Sequence, residues 1–588
     1  MSLQRSFATA LAPLLALSLA AAAPRPPRAT QALPAALAGD DVMRAMAAEL
    51  SRSAAELQLP GFDRAYFIAY TVKEVQKAGL TGKRGALYAV DPGTRTRRAL
   101  VDVRVGDYAF DSSDDPELDF VEDGVYEPTS DVPLDGGADA LRHALWLQTD
   151  LRYKQALASH LKLQGQRVYA AAAEPRRPSF SKAAPAIAAD APAPLTLDRP
   201  RWERVVRDVG AILATDPALF DAEVQVDFRV ETRWLANTEG ARLRTVAPLY
   251  AFHATAATRA PDGMLLESSI DLYAPTEAGL PDDATLLERA RRLVADLAAL
   301  RAAPTLDPYT GPALLEPAAT GVFFHEVLGH RLEGHRQDAD ESGQTFGKHL
   351  GQAILPPTLS LVDDPTTARL AQTPLNGTYA FDDEGVPAQR VVLIDHGVLR
   401  TFLSARRPAE GLTASNGHGR AAGTLRPVAR MGNLVVVAHD PVPVATLRDR
   451  LLAEVRRQKK PFGLIIRDIA GGSTNTSAYG YQAFKGEARM VYQVDAETGK
   501  ETLVRGVDVV GTPLVTISKL LAAGDDIGVF NGYCGAESGM IPVSTVAPST
   551  LFSEIELQRS GRARSRAPIL APPPAAAPSG SPPPGGAR

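Results

Sequence analysis

Apolar residues recur at helical and at alternating spacing along the first half of the chain. Asp41 to Leu57 has helical spacing after a plausible N-cap, and Pro60 ends the segment. Asp139 to Leu163 predicts a second, longer helix. Runs of aromatic and β-branched residues between Gly, Pro and Asp predict antiparallel strands at Arg64–Val75, Gly85–Val90 and Arg97–Val105.

A second group of strands follows and completes the first domain. The strands are predicted at Ala222–Val230, Thr232–Leu235 and Leu243–Val246. Asp283 to Ala302 predicts a closing helix with Asp283 as its N-cap. Together these elements predict an N-terminal α+β domain at 24–304.

The last part of the folded chain, at 305–560, is predicted to be a β-rich domain with one inserted helix at Leu447–Gln458. Its strands are predicted at Gln389–Ile394, Val398–Leu403, Asn433–Ala438, Gly463–Ile469, Ala488–Val494 and Leu503–Val510. The expected fold class is therefore α+β, in two domains.

Two stretches lack such periodicity. Residues 171–200 are dominated by Ala and Pro and predict a loop or linker. Residues 561–588 are first Arg-rich and then rich in Pro, Ala, Gly and Ser, which predicts a disordered tail.

The most informative stretch opens the second domain, where apolar residues enclose two histidines and a glutamate in the order HExxxH. At roughly 100° per residue, five steps place His325 and His330 about 140° apart, too far round a regular α-helix to share a metal ion. A π-bulge of one residue would bring both rings to one side, and Gly329 is the residue that best tolerates it. The spacing therefore predicts an irregular metal-binding helix, with Glu326 as general base.

The simpler interpretation is that His325 and His330 are ordinary residues of an amphipathic helix. It is disfavoured because the chain has only ten histidines, and because a buried Glu326 needs a charged partner. Catalytic zinc takes about three protein ligands, so a third is needed. His335 and Cys534 are the candidates.

Several motifs together resemble one family. They are HEVLGHRLEG, Leu361-Val-Asp-Asp-Pro, Asp382-Asp-Glu-Gly-Val-Pro, the Gly471-Gly472 pair and a late Cys534 in a Gly-rich turn. The chain is similar in these motifs, over roughly residues 40 to 558, to the TldD/PmbA family of zinc metallopeptidases, once called modulators of DNA gyrase.

The resemblance implies that His325, His330 and Cys534 bind zinc and that Glu326 is the catalytic base. It also implies an extended peptide substrate bound along a strand edge with little sequence preference. A dimer is implied too, either a homodimer or a heterodimer with a paralogous subunit. His335 stands where many members have aspartate, and His335 and Tyr533 remain candidates for stabilising the oxyanion. The alternative is a non-catalytic exported zinc-binding scaffold or partner subunit, whose structural zinc would have His335 as a fourth ligand.

Composition and termini narrow the function further. The net charge of −5 gives no basic footprint, which disfavours nucleic acid as a partner. A basic start, an apolar run from Phe7 to Ala23 and small residues at its end predict a signal peptide at 1–23 and export to the periplasm or the medium. No later run reaches the length of a membrane span. The single cysteine cannot form an internal disulfide, so zinc ligation and inert burial remain its two explanations.

Overall fold

The computed structural model describes residues 33–115, 130–169, 177–337, 346–409, 411–476, 483–562, 564–566, 568–570 and 573. The predicted α+β class is confirmed. The N-terminal elements are α1 (Ala35–Ala38), α2 (Asp41–Glu56), β1 (Ala65–Lys83), β2 (Ala86–Val105), α3 (Gly137–Tyr169), β3 (Ile187–Ala189), α4 (Arg199–Leu213), β4 (Asp221–Asn237), β5 (Arg242–Arg259), β6 (Leu265–Ala274) and α5 (Asp283–Ala302).

These strands form one six-stranded sheet in the order β2-β1-β4-β5-β3, with β6 also paired to β5. The strands are much longer than the sequence predicts. The predicted strands Gly85–Val90 and Arg97–Val105 are one strand, because β2 continues through Pro92 as the pairing with β1 shifts register between Lys77 and Gly79. A proline is tolerated there since β2 is an edge strand.

One face of this sheet carries the helices and the other faces the second domain. Along β4, Val224, Val226 and Phe228 are fully buried against α4 and α5, while the alternate residues are polar. Helices α2 and α3 cover the same face further along, over β1 and β2. The opposite face is therefore free to contribute to the boundary between the domains.

Three predictions for this domain need correction. Helix α4 lies partly within the stretch predicted as a linker, where Asp198 accepts a hydrogen bond from the Arg201 N–H (3.1 Å). β3 pairs with β5 in the same stretch, and residues 171–176 lie outside the described residues. The N-cap of α5 is Asp282 rather than Asp283, because the Asp282 side chain accepts from the Thr285 N–H (2.8 Å).

The C-terminal domain is built from short and long strands around one buried helix. Its elements are β7 (Tyr309–Leu315), α6 (Pro317–Phe324), β8 (Leu359–Asp363), β9 (Arg369–Leu370), β10 (Thr373–Pro374), β11 (Val391–Asp395), β12 (Val398–Leu399), β13 (Gly419–Arg420), β14 (Val428–Ala429), β15 (Asn433–Ala438), α7 (Val444–Arg457), β16 (Phe462–Thr474), β17 (Phe484–Asp495), β18 (Glu501–Val504), β19 (Val507–Gly511), α8 (Pro513–Ile517), β20 (Leu520–Ala523), β21 (Gly528–Ala536), β22 (Gly539–Ala547) and β23 (Thr550–Arg559).

Two sheets enclose helix α6. One has the order β12-β11-β8-β15-β22-β21, and the other has the order β16-β7-β23-β19-β17-β18 with β20 paired to β23. Phe323 and Phe324 at the end of α6 are fully buried in the core that the sheets share. Helix α6 is thus held on both sides just before the HExxxH residues begin.

The predicted terminal segments have different outcomes. The predicted signal peptide at 1–23 lies outside the described residues, as do residues 574–588 of the predicted tail. The first part of that tail is in contact with the N-terminal domain, because Arg564 bridges to Met264 and lies 3.8 Å from Asp262. No helix within the described ranges is long and apolar enough to cross a membrane.

An acidic turn of the second domain joins the two domains. The Asp383 carboxylate lies 3.0 Å from Lys73 Nζ and 2.7 Å from Arg233 Nη1, both on the sheet of the first domain. The next residue, Glu384, accepts a hydrogen bond from the Arg406 N–H (2.6 Å). Burial and the neighbouring Asp382 raise the pKa of Glu384 to about 8.

Glu384→Gln is expected to flatten the dependence of stability on pH. In the wild type, folding favours the protonated Glu384, so its stabilising contribution is full below about pH 4.5 and is lost as pH rises through 8. Glutamine keeps an acceptor for Arg406 and has no proton to lose. The free energy of unfolding in urea at pH 5, 7 and 9 should therefore fall less in the variant, by on the order of 1 kcal/mol. Equal pH slopes would contradict the assignment, and Glu497→Gln, on an exposed turn, is the control.

Candidate metal centre

The HExxxH helix is irregular, as its spacing predicts. Helix α6 ends at Phe324 and continues as a π-helical turn over His325–Gly329, in which the His330 N–H donates to the His325 carbonyl five residues earlier. The ring centroids of His325 and His330 are 5.0 Å apart. The predicted bulge near Gly329 is confirmed, and it places both imidazoles on one side.

Two side chains support this turn. A Cβ at position 329 would overlap Met431 Sδ, so any larger residue there would require the Met431 side chain to move. Arg331 donates to the carbonyls of Glu326 (2.9 Å) and Val327 (3.3 Å), which a π-turn leaves without their α-helical partners. The same guanidinium donates to the Asn475 carbonyl (3.1 Å), which ties the turn to the end of β16.

The third residue of the group is Cys534, and it lies on a strand rather than in the predicted turn. Cys534 pairs with Ile541 in the hairpin of β21 and β22, and its Sγ is 3.4 Å from His330 Nε2. One donor atom from each of His325, His330 and Cys534 lies within 4.8 Å of the others. His335 does not join them, because its Nε2 contacts Glu537 Oε2 at 3.4 Å.

The buried carboxylate of Glu333 supports two of the three candidate ligands, His330 directly and Cys534 through Arg430. Glu333 Oε2 lies 3.2 Å from His330 Nδ1, and Glu333 Oε1 accepts from Arg430 Nε at 3.2 Å. Arg430 also donates to the Cys534 carbonyl (2.7 Å). Sequence reasoning missed both residues, although Glu333 stands one helical turn after His330.

Without a metal, Cys534 and His330 form a thiolate–imidazolium pair, and a bound cation would take the place of the imidazolium proton. Burial opposes ionisation of the Cys534 thiol, but the two imidazoles hold its pKa well below the ordinary value. Burial also opposes a charge on His330, yet Glu333 and Cys534 raise its pKa to about 10. The sulfur is therefore poised as the thiolate that metal binding requires.

The donor set fits zinc. Thiolate and imidazole are ligands that zinc prefers, and bond lengths of 2.0–2.3 Å on a tetrahedron put S and N roughly 3.6 Å apart. The Cys534 to His330 distance of 3.4 Å is close to that value. Among the described residues, Nδ1 of His325 is buried without a hydrogen-bond partner, which leaves it unsatisfied in the protein alone.

Glu326 lies beside the group and against a strand. Its side chain is buried, and burial raises its pKa. A Cβ at Gly472 of β16 would lie 2.9 Å from Glu326 Cδ, so the strand reaches the carboxylate only because this residue is glycine. By contrast, a Cβ at Gly471 would meet nothing within 4 Å.

These residues line a cleft of about 660 Å³ between the two domains. One side is residues 470–476 of β16 and the following turn, where β17 is the strand neighbour and β7 pairs only further back at Leu464–Ile466. Another side is residues 530–537 of β21, and the N-terminal domain contributes Asp271 and Tyr273 from β6. The predicted accessory residue Tyr533 packs its ring against Tyr273, with centroids 6.0 Å apart.

Known proteins share the second domain. A family model described as the PmbA/TldA metallopeptidase C-terminal domain matches residues 308–559. A metalloprotease of Archaeoglobus fulgidus is 31% identical over 240 residues, 40% of this chain and 51% of the relative. A zinc metalloprotease TldD homolog of Saccharolobus solfataricus is 24% identical over 251 residues, 42% of this chain and 51% of the relative. The chain thus spans about half the length of the curated relatives it matches.

Two solved structures have the same overall fold. A proposed modulator of a DNA gyrase from Thermotoga maritima aligns with a TM-score of 0.56 at 17% identity, covering 84% of this chain and 96% of its own. TldE from Thermococcus kodakarensis aligns with a TM-score of 0.54 at 14% identity, covering 84% and 97%. The resemblance drawn from the motifs is confirmed over residues 308–559, which match the model of the PmbA/TldA metallopeptidase C-terminal domain.

Proposed function

We propose that the protein is a zinc-dependent peptidase that hydrolyses peptides or unfolded segments with little sequence preference. The proposal rests on one observation: His325, His330 and Cys534 lie together in a cleft that Glu326 also lines. Three protein ligands leave one coordination position for chemistry. The cleft gives a substrate access to that position.

Zinc, Glu326, Glu333 and Arg331 each have a part in the proposed reaction. When bound, zinc supplies a Lewis acid that polarises a carbonyl and activates water. Glu326 takes a proton from the attacking water and passes it to the leaving amine. Glu333 orients the His330 ring through Nδ1, and Arg331 fixes the backbone of Glu326.

The pairing of β16 supports an extended peptide as substrate. Residues 470–476 line the cleft beside Glu326, and among the described residues this part of β16 has a strand neighbour, β17, on one side only. A peptide added to such an edge is held mainly by main-chain hydrogen bonds, which read side chains weakly. The closed scaffold alternative needs His335 as a fourth ligand, and the contact of His335 with Glu537 argues against it.

We further propose that the protein is exported and acts as a homodimer or with a paralogous subunit. The N-terminal charge and apolar pattern supports export. Relatives named TldD and a fold neighbour named TldE support a paired subunit. N-terminal sequencing of the mature protein and its mass in solution test the two points.

Cys534→Ser is expected to lose most of the bound zinc, whereas His335→Ala keeps it. Serine offers a hydroxyl in place of the thiolate charge, and His335 lies outside the donor group. Metal analysis of the purified variants measures this. Full zinc content in both variants would exclude Cys534 as a ligand. Loss of zinc in His335→Ala alone would make His335 the third ligand.

Glu326→Gln is expected to bind zinc as well as the wild type while turnover falls by a factor on the order of 10² to 10⁴. Glutamine keeps the shape of the side chain and cannot take a proton. Glu316→Gln, at the start of the same helix, is the control and should keep its activity. Unaltered cleavage by a zinc-loaded Glu326→Gln protein would refute the mechanism.

Gly472→Ala is expected to lower turnover by about 10²-fold with zinc retained, because the new methyl group displaces Glu326. Gly471→Ala, one residue earlier, adds the same methyl group without meeting Glu326, so its kcat should fall much less, and any effect on peptide binding appears in KM. Comparing kcat and zinc content of the two variants tests the close approach. Equal rates would show that the strand does not press on Glu326.

A further inference from the structure

The N-terminal domain contributes one face of strand β6 to the cleft. Along β6, Ser269, Asp271 and Tyr273 alternate with the buried residue Ile270, so they share the face toward the second domain. Asp271 and Tyr273 line the same cleft as Glu326. Asp271 and Tyr273 therefore share one cleft with the residues of the metal group.

Two neighbouring side chains, His253 and Ser269, hold the Asp271 carboxylate in place. Its Oδ1 lies 2.8 Å from His253 Nδ1, and its Oδ2 accepts from Ser269 Oγ at 2.7 Å. Burial opposes its ionisation, but these two contacts lower its pKa. Arg489, whose charge also lowers the pKa of Asp271, donates to Ser269 Oγ (3.3 Å) and is itself paired with Asp468. The carboxylate remains 42% exposed, toward the cleft.

Among the described residues that line the cleft, Asp271 has no cationic partner. Apart from the metal group, the ionised side chains among the described lining residues are Asp271, Glu326, Glu537 and Arg336. Arg336 Nη1 and Glu537 Oε1 pair with each other at 2.8 Å. Glu326 has its own role as the base. The lining therefore has an excess of negative charge at Asp271.

Aromatic rings stand next to this carboxylate. Tyr273 follows Asp271 on the same face of β6 and packs edge to face against Tyr533, which precedes Cys534. On the side of the N-terminal sheet, Arg229 covers the Tyr533 ring at 5.7 Å. A carboxylate beside tyrosine rings binds cations through charge-assisted hydrogen bonds and cation–π contacts.

We propose that Asp271 and Tyr273 form a subsite for a positively charged group of the peptide substrate, either a Lys or Arg side chain or an N-terminal ammonium. The inference rests on the proposed peptidase function and adds one preference to a site that otherwise reads the main chain. The N-terminal domain thereby takes part in substrate selection.

A set of peptides of one sequence tests the subsite, with a single Lys moved through each position and norleucine as its neutral counterpart. All peptides are acetylated and amidated, and one further pair keeps a free N-terminus. At one position, wild-type protein should prefer Lys over norleucine by about tenfold in kcat/KM. Asp271→Asn should lower that ratio to near one. A preference that appears only with the free N-terminus, and is lost in Asp271→Asn, identifies the ammonium as the cation.

Glu267→Gln is the matched control, because Glu267 lies on the same face of β6, is exposed and is outside the cleft lining. It should keep the wild-type ratio. Zinc content and melting temperature show whether Asp271→Asn is folded. The ratio of kcat/KM for Lys over norleucine compares two substrates of the same protein, so a smaller active fraction does not change it. Cleavage without a charge preference, or a ratio unchanged in Asp271→Asn, overturns the subsite alone. No cleavage of any peptide by the zinc-loaded wild type overturns the peptidase proposal as well.

Discussion

The geometry of the candidate metal centre depends on one π-helical turn, His325–Gly329, at the end of helix α6. His330 follows His325 by five positions, so the two rings meet only if the backbone adopts a π-turn. Such turns are rare and persist where neighbours over-determine them. Gly329 packs without a side chain against Met431, and Arg331 satisfies two of the released carbonyls. The irregular turn is therefore enforced by its surroundings.

Glu333 extends this constraint to the rest of the domain. Burying a charge is costly unless it is paired, and Glu333 is paired with His330, Arg336 and Arg430 at once. Because Arg430 also holds the Cys534 carbonyl, one buried carboxylate links the π-turn with strand β21. Two of the three predicted ligands thus have a common support, and a shift in either segment is transmitted to the other.

Local chemistry explains what could be predicted from the sequence. The spacing of His325, Glu326 and His330 predicted the π-turn because helix geometry is fixed by near neighbours. Helix α4 also had local signals in Asp198 and the apolar spacing after it, and they were overlooked. The pairing of Glu333 with Arg430, 97 residues apart, had no local signal, since only the packing of two sheets brings them together. The strand that carries Cys534 was mistaken for a turn because its glycines obscure the alternation.

The first domain has a role that its sequence pattern does not reveal. The alternation of apolar and polar residues along β4, β5 and β6 is typical of half-buried strands that pack one face against helices. Register places Asp271 opposite His253, and Lys73 opposite Arg233, so these polar residues all share the second face. One end of that face docks on Asp383 and the other end closes the cleft. The two domains are thus in contact at both ends of this face, through Asp383 at one end and through Ser269 with Arg489 and Tyr273 with Tyr533 at the other.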